Sequence, residues 1–307
     1  MISVEQTRSG GIRADVSGPF TSDDLKALGD QSSVCLFLED STGWDGSGLE
    51  NVARLGGALA GLVVSSERPL DASCLSSVSG LESMALHGDI RGEVGLSLSP
   101  ELYGLGLYVR GDHLKIADVP GSLKVFAGSV RQGVYDAVVG ATRLEAMTLV
   151  NASVHSLGGE ELFSDIKYVQ IHRSPKVIDV GQVIRGGIEM FKANSCRRLR
   201  VNRLDRCGQN IRYFAMNDCD YIESLDVFHS ARNLSVVSIG GGTRLLDGGS
   251  AESARQNKLR KVQSEGGARL EYLGELLTDY ASSELECVRE LETRASIFRN
   301  VSVSTSS

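Results

Sequence analysis

The chain of 307 residues, 41% hydrophobic and 23% charged, has a globular balance that excludes collagen and general disorder. Its length exceeds the roughly 250 to 300 residues at which one hydrophobic core stops growing, which implies either two domains or an elongated body. The net charge of −7 is uneven, with −6 over residues 1–80, −3 over 81–180, +3 over 181–250 and −1 over 251–307, so one basic island sits in an acidic chain. No apolar run approaches the roughly 18 to 20 residues of a membrane helix, and the first ten residues lack the basic-then-apolar order of a secretory signal; a soluble, cytoplasmic protein is expected.

In chain order, Met1 to Ser33 is polar and glycine-rich until Ser22. There Ser22, Asp23 and Asp24, followed by Leu25 to Leu28, predict a short capped helix ahead of an apolar strand over Val34 to Leu38. Residues 1–56 therefore read as an N-terminal cap with a first strand.

From Leu81 a repeat begins. An apolar triplet at positions 1, 4 and 6 (Leu81, Met84, Leu86) returns as Leu102, Leu105, Leu107; Leu123, Phe126, Gly128; Leu144, Met147, Leu149; Ile166, Val169, Ile171; Ile188, Phe191, Ala193; Ile211, Phe214, Met216; and Leu234, Val237, Ile239. Successive copies start 21, 21, 21, 22, 22, 23 and 23 residues apart, too narrow a drift for chance. Later copies add a small residue at position 9 and an apolar one at 12, as in Cys196 and Leu199, Cys219 and Ile222, Gly242 and Leu245. A ninth copy starts at Leu259, and fainter ones stand at Leu59, Leu62, Val64 and at Leu285, Val288, Glu290.

LxxLxL followed by a small residue, at this period, resembles the leucine-rich repeat over about residues 57 to 275. The position usually held by Asn is Asp89, Ala152, Ser174, Cys196, Cys219 and Gly242 here, so the relative is degenerate and carries over no functional residue. The stretch Asn217 to Phe228 is similar to variant bacterial repeats in which Cys and Phe recur. The resemblance implies an α/β to mostly β fold: a leucine-rich-repeat-like solenoid with a curved parallel β-sheet and one short strand per coil.

The physics agrees. Positions 4 and 6 alternate with polar or small residues, the period-2 signature of a strand with one buried face. A lone coil buries three to five side chains worth on the order of 1.5 to 3 kcal/mol each, against about 1 to 2 kcal/mol of backbone entropy per residue. Stacked coils supply the missing burial. Cys196 and Cys219 should then stack in adjacent turns as structural thiols. Beyond the solenoid, Leu270, Leu273, Leu276, Leu277 and Tyr280 have helical spacing, and 276–307 is expected to cap the open end and fray.

Chemical motifs are sparse. The sequence has no GxSxG elbow, no HExxH helix and no GxxxxGK[ST] loop, and the six cysteines and five histidines show no metal-ligand spacing. Gly240 to Gly242 resembles a phosphate cradle but falls at a strand-to-turn corner. The island of Arg197, Arg198, Arg200, Arg203, Arg206 and Arg212 is interrupted by acidic residues and has few aromatics, which argues against nucleic acid. No catalytic residue, metal or cofactor is expected. A parallel β-helix, the fold of some polysaccharide lyases and glycosidases, is the alternative; it needs three strands per coil and stacked carboxylates.

Positions 3, 5 and 7 should point away from the core. In the second half they cluster Tyr168, Gln170, His172, Met190, Lys192 and Tyr213, side chains suited to a protein interface. The expectation is a non-enzymatic protein-binding solenoid, of the kind an inhibitor or immunity protein would use to mask a basic partner. Membrane binding is not expected.

Overall fold

The computed structural model describes residues 1–6, 11–139, 144–155, 157, 165–178, 180, 187–201, 210–223, 236–240, 242–246 and 261–264. The expected cap over 276–307, the helical spacing from Leu270 to Tyr280, Arg203 and Arg206 lie outside the described residues. The chain divides into two compact units, one over Met1–Ser129 with most of the helix that follows, the other from Leu144 onward. Each contains an open, mainly parallel sheet with few helices. Among the described residues no helix is long and apolar enough to cross a membrane.

The first unit runs β1 (Ile2–Gln6), β2 (Ile12–Val16), α1 (Ser22–Leu28), β3 (Val34–Glu39), β4 (Leu59–Asp71), β5 (Ser83–Gly95), β6 (Gly104–Val109), β7 (Leu114–Ala117), β8 (Val125–Ser129) and α2 (Gln132–Val139). Helix α1 forms where Ser22, Asp23 and Asp24 predict it. Its cap is Thr21, whose side chain accepts from the Asp24 amide while the Asp24 carboxylate accepts from the Thr21 amide. β1 and β2 are antiparallel; every later pairing in this sheet is parallel. The parallel ladder thus reaches back through β3 to β2, into the segment read as a cap. Position 4 becomes one buried row of Leu36, Leu62, Met84, Leu105 and Phe126, each at most 1% exposed.

The second unit contains β9 (Ala146–Val150), β10 (Tyr168–His172), β11 (Met190–Asn194), β12 (Arg200–Val201), β13 (Tyr213–Asn217), β14 (Tyr221–Ile222), β15 (Val236–Gly240), β16 (Arg244–Leu245) and β17 (Lys261–Ser264). From β9 to β17 the long strands pair parallel with no shift, position 3 against 3 and 7 against 7. The copies were legible because each is one rung of this ladder. Met147, Val169, Phe191 and Phe214 form the position-4 row, fully buried, with the rings of Phe191 and Phe214 stacked at 5.4 Å.

The expectation of one strand per coil omits a second, shorter ladder. β12, β14 and β16 pair parallel in a sheet of their own, and in the first unit the end of β5 (Gly92 to Gly95) pairs with β7.

The turn after each long strand is as regular as the strand. Asn151, Arg173, Ser195 and Asp218, all at position 8, take left-handed conformations with φ between 46° and 55°. This turns the chain inward while the position-8 amide still bonds the neighbouring strand: Asn151 donates to the His172 carbonyl, Arg173 to Asn194, Ser195 to Asn217 and Asp218 to Gly240. Position 9 then points inside, where the amides would lack partners but for a side-chain column. Ser174 Oγ accepts from the Ala152 amide at 3.1 Å, and Thr243 Oγ1 from the Cys219 amide at 2.9 Å. Between them, the Cys196 and Cys219 sulfurs accept from the Ser174 and Cys196 amides. Both cysteines are free thiols; the Cys219 pKa is pushed well up, first by its hydrogen bond to Cys196 and then by burial. In the copy that starts at Leu234, Thr243, at position 10, fills the place that the template gives to Gly242.

Two stability outcomes follow from these rows. Phe214→Ala should cost about 3 to 5 kcal/mol by emptying the Phe191 stack, and Arg212→Ala, on an exposed side chain, about 0.5 kcal/mol or less; equal shifts in thermal midpoint would contradict the register. Ser174→Ala should cost about 1 to 3 kcal/mol because it strands the buried Ala152 amide. Cys196→Ser keeps an acceptor in the column, and in urea titrations it should lose less than Ser174→Ala.

Candidate functional site

Zero-shift pairing sets the side chains of positions 3, 5 and 7 in rows about 4.8 Å apart from strand to strand. In the second unit the position-3 row is Ala146, Tyr168, Met190 and Tyr213. Each large side chain in it is flanked by the same position of its neighbours. Tyr168, Met190 and Tyr213 are 2%, 0% and 5% exposed, which corrects the expectation that they stand out as interface anchors. They behave as a second packed layer, and truncating them would test stability rather than binding.

Positions 5 and 7 stay within reach of solvent. Gln170, His172, Lys192 and Asn194 are half-buried and lie in register, Gln170 beside Lys192 and His172 beside Asn194. Gln170 Oε1 is 3.2 Å from His172 Nε2, and Asn194 Oδ1 accepts from Ser195 Oγ at 3.2 Å. The His172 pKa is lowered, first by burial and then by the charges of Lys192 and Arg173. The neutral ring therefore donates from Nε2 to Gln170, and one ammonium stands among amide and imidazole groups on rigid strands. Such a patch is suited to hydrogen bonding with directional partners; among the described residues no group of three His, Cys, Asp or Glu is placed to hold a metal.

The other candidate features disperse or close. Arg212 precedes β13 whereas Arg197 and Arg198 follow β11, its parallel neighbour, so a strand length of about 16 Å separates them along the sheet. Arg244 is paired with Asp220 at 2.7 Å. The Gly242 amide, which a phosphate cradle would require, donates to Asp218 Oδ1 at 3.0 Å. His113 and His155 are exposed in separate turns, and His229 lies outside the described residues.

The first unit contains a second polar row, of which the template places His87 and Tyr108 at position 7. Glu39, Ser65, His87 and Tyr108 occupy position 7 of four adjacent strands. Applied to the faint copy at Leu59, the spacing already places Ser65 at position 7; β3, with Leu36 and Leu38 alone, gives no full triplet from which to find Glu39.

No family model matches the chain, and no curated protein matches it. Its function therefore rests on the geometry of these rows.

His87 and His172 both have pKa values lowered chiefly by burial. Between the lowered folded value and the unfolded value of about 6.5, the unfolded chain binds more protons, so stability rises with pH in that window and is lost below it. Urea midpoints should fall as the pH drops from about 7.5 to about 5, and His172→Gln should flatten part of that fall. An identical slope in the variant would exclude His172 as a contributor.

Proposed function

We propose that the chain is a non-enzymatic, leucine-rich-repeat-like solenoid that captures a protein partner, in the manner of an inhibitor or immunity protein masking a basic surface. The observation that carries this reading is the in-register patch of Gln170, His172, Lys192 and Asn194, polar groups held on adjacent parallel strands over the packed rows of positions 4 and 6 and beside that of position 3. A fixed array of this kind loses little side-chain entropy on binding. The acidic first 80 residues would raise the encounter rate with a basic partner in a salt-dependent way. The free thiols Cys35, Cys74, Cys196 and Cys219 suit a reducing, cytoplasmic setting.

A second reading, the β-helix polysaccharide lyase or glycosidase, is favoured by the extra ladder of β12, β14 and β16. It predicts turnover of acidic polysaccharides, which protein capture does not.

The test is affinity capture from the source cell followed by binding kinetics. Gln170→Ala, His172→Ala and Lys192→Ala should weaken the captured partner, at least one of them by about tenfold and through the off-rate. Charge-neutralising variants at Asp23, Glu50 and Asp71 should lower the on-rate at low salt. A partner that binds all three patch variants as tightly as the parent would remove this face from consideration.

A further inference from the structure

At one level across β3 to β6 in the first unit, four polar side chains stand side by side: Glu39 pairs in register with Ser65, Ser65 with His87, and His87 with Tyr108. We propose that this row is a binding site for a linear, uncharged oligosaccharide. The proposal does not rest on protein capture by the second unit.

The row is built as a site rather than scattered on a surface. Ser65 Oγ lies 3.3 Å from His87 Nδ1, and the His87 and Tyr108 rings are 6.2 Å apart, centroid to centroid. The Glu39 side chain is nine-tenths buried. On the same face, position 5 is Phe37 and Val63 on β3 and β4 and narrows to Ala85 and Gly106 on β5 and β6. Position 7 is therefore a ledge of hydrogen-bonding groups beside an apolar strip that opens toward Tyr108.

The charges around the row select its ligand. Arg13 is engaged by both carboxylate oxygens of Asp15 at 2.9 and 2.8 Å while its guanidinium lies 3.9 Å over the Phe37 ring, and Arg110 pairs with Glu67 at 2.6 Å. Both nearby guanidinium groups are thus committed, which disfavours phosphate or sulfate. Among the described residues no group of three His, Cys, Asp or Glu is placed to hold a metal ion. Burial lowers the His87 pKa and raises those of Glu39 and Tyr108, the last to about 12. At neutral pH the imidazole and phenol are uncharged and the carboxyl is drawn toward its protonated form. What remains is a line of hydroxyl and imidazole groups beside one buried carboxyl, all of them able to hydrogen-bond hydroxyl groups.

Spacing separates a sugar chain from a peptide. The rungs recur every 4.8 Å or so, about 14 Å for four strands, whereas side chains on one side of an extended peptide recur at about 6.8 Å and fall out of step. Rigid rings rich in hydroxyls can offer a partner at successive rungs without such a mismatch.

The experiment titrates the full chain with hexasaccharides of β-1,4-linked glucose, α-1,4-linked glucose and β-1,4-linked N-acetylglucosamine, with a Ser-Gly repeat octapeptide as comparison. Calorimetry gives affinity, and the His87 imidazole resonances report occupancy without any variant. Binding of at least one hexasaccharide is expected, with a shifted His87 signal. Tyr108→Phe, which deletes one oxygen, and Ser65→Ala should each weaken it by about fivefold to tenfold, the equivalent of one hydrogen bond, while Arg212→Ala in the other unit leaves it unchanged. The proposal is overturned if no hexasaccharide binds at its solubility limit, if binding ignores both row variants, or if the octapeptide binds with the same dependence on them.

Discussion

Registration of each parallel strand on the next, without a shift from β9 onward, is the constraint from which the rest of this structure follows. A slip of one residue would move every side chain to the opposite face, so Phe214 would leave the row of Phe191 and enter that of Tyr213. The left-handed residue at position 8 reinforces the pairing, because its amide bonds the neighbouring strand before the chain turns inward. Asn and Asp accept that conformation readily, and Arg173 and Ser195 accept it less well. Their presence there means that the ladder, rather than local preference, imposes the turn.

The position-9 column answers a different need. Where the backbone turns inside, its amides must find acceptors or lose hydrogen bonds outright. A hydroxyl at Ser174 and Thr243 and a thiol at Cys196 and Cys219 do the same work with different atoms, each small enough to fit beneath the strand. This explains why the position tolerates Ser, Cys and Thr, and why the thiols need no redox role to account for their burial.

Much of this was legible in the sequence, and the gaps have physical causes. The apolar triplets place the strands from β5 to β17 in their observed register, because alternation reports a buried face directly. Alternation does not tell position 3 from position 5: both lie on the same side of the strand, and burial of Tyr168, Met190 and Tyr213 depends on neighbours in other copies. The polar row of the first unit was half visible. His87 and Tyr108 fall on the template, but Glu39 ends β3, a strand expected from its apolar run and tied to the repeat register only by its pairing with β4. The two-residue strands β12, β14 and β16 are too short to carry a period, and the one-residue offset that puts Thr243 in the column is invisible until the Cys219 amide identifies its acceptor.

The length drift between copies takes on meaning beside this register. Strands fall on positions 3 to 7 of the copies from Leu81 to Ile211 whether the next begins 21, 22 or 23 residues later, so added residues accumulate outside the long strands and leave them in step. Selection can therefore lengthen, shorten or recompose the stretches between strands one residue at a time, or duplicate a whole copy, without renegotiating the pairing. The long strands hold the molecule's grammar, and the intervals between them are where its vocabulary is free to change.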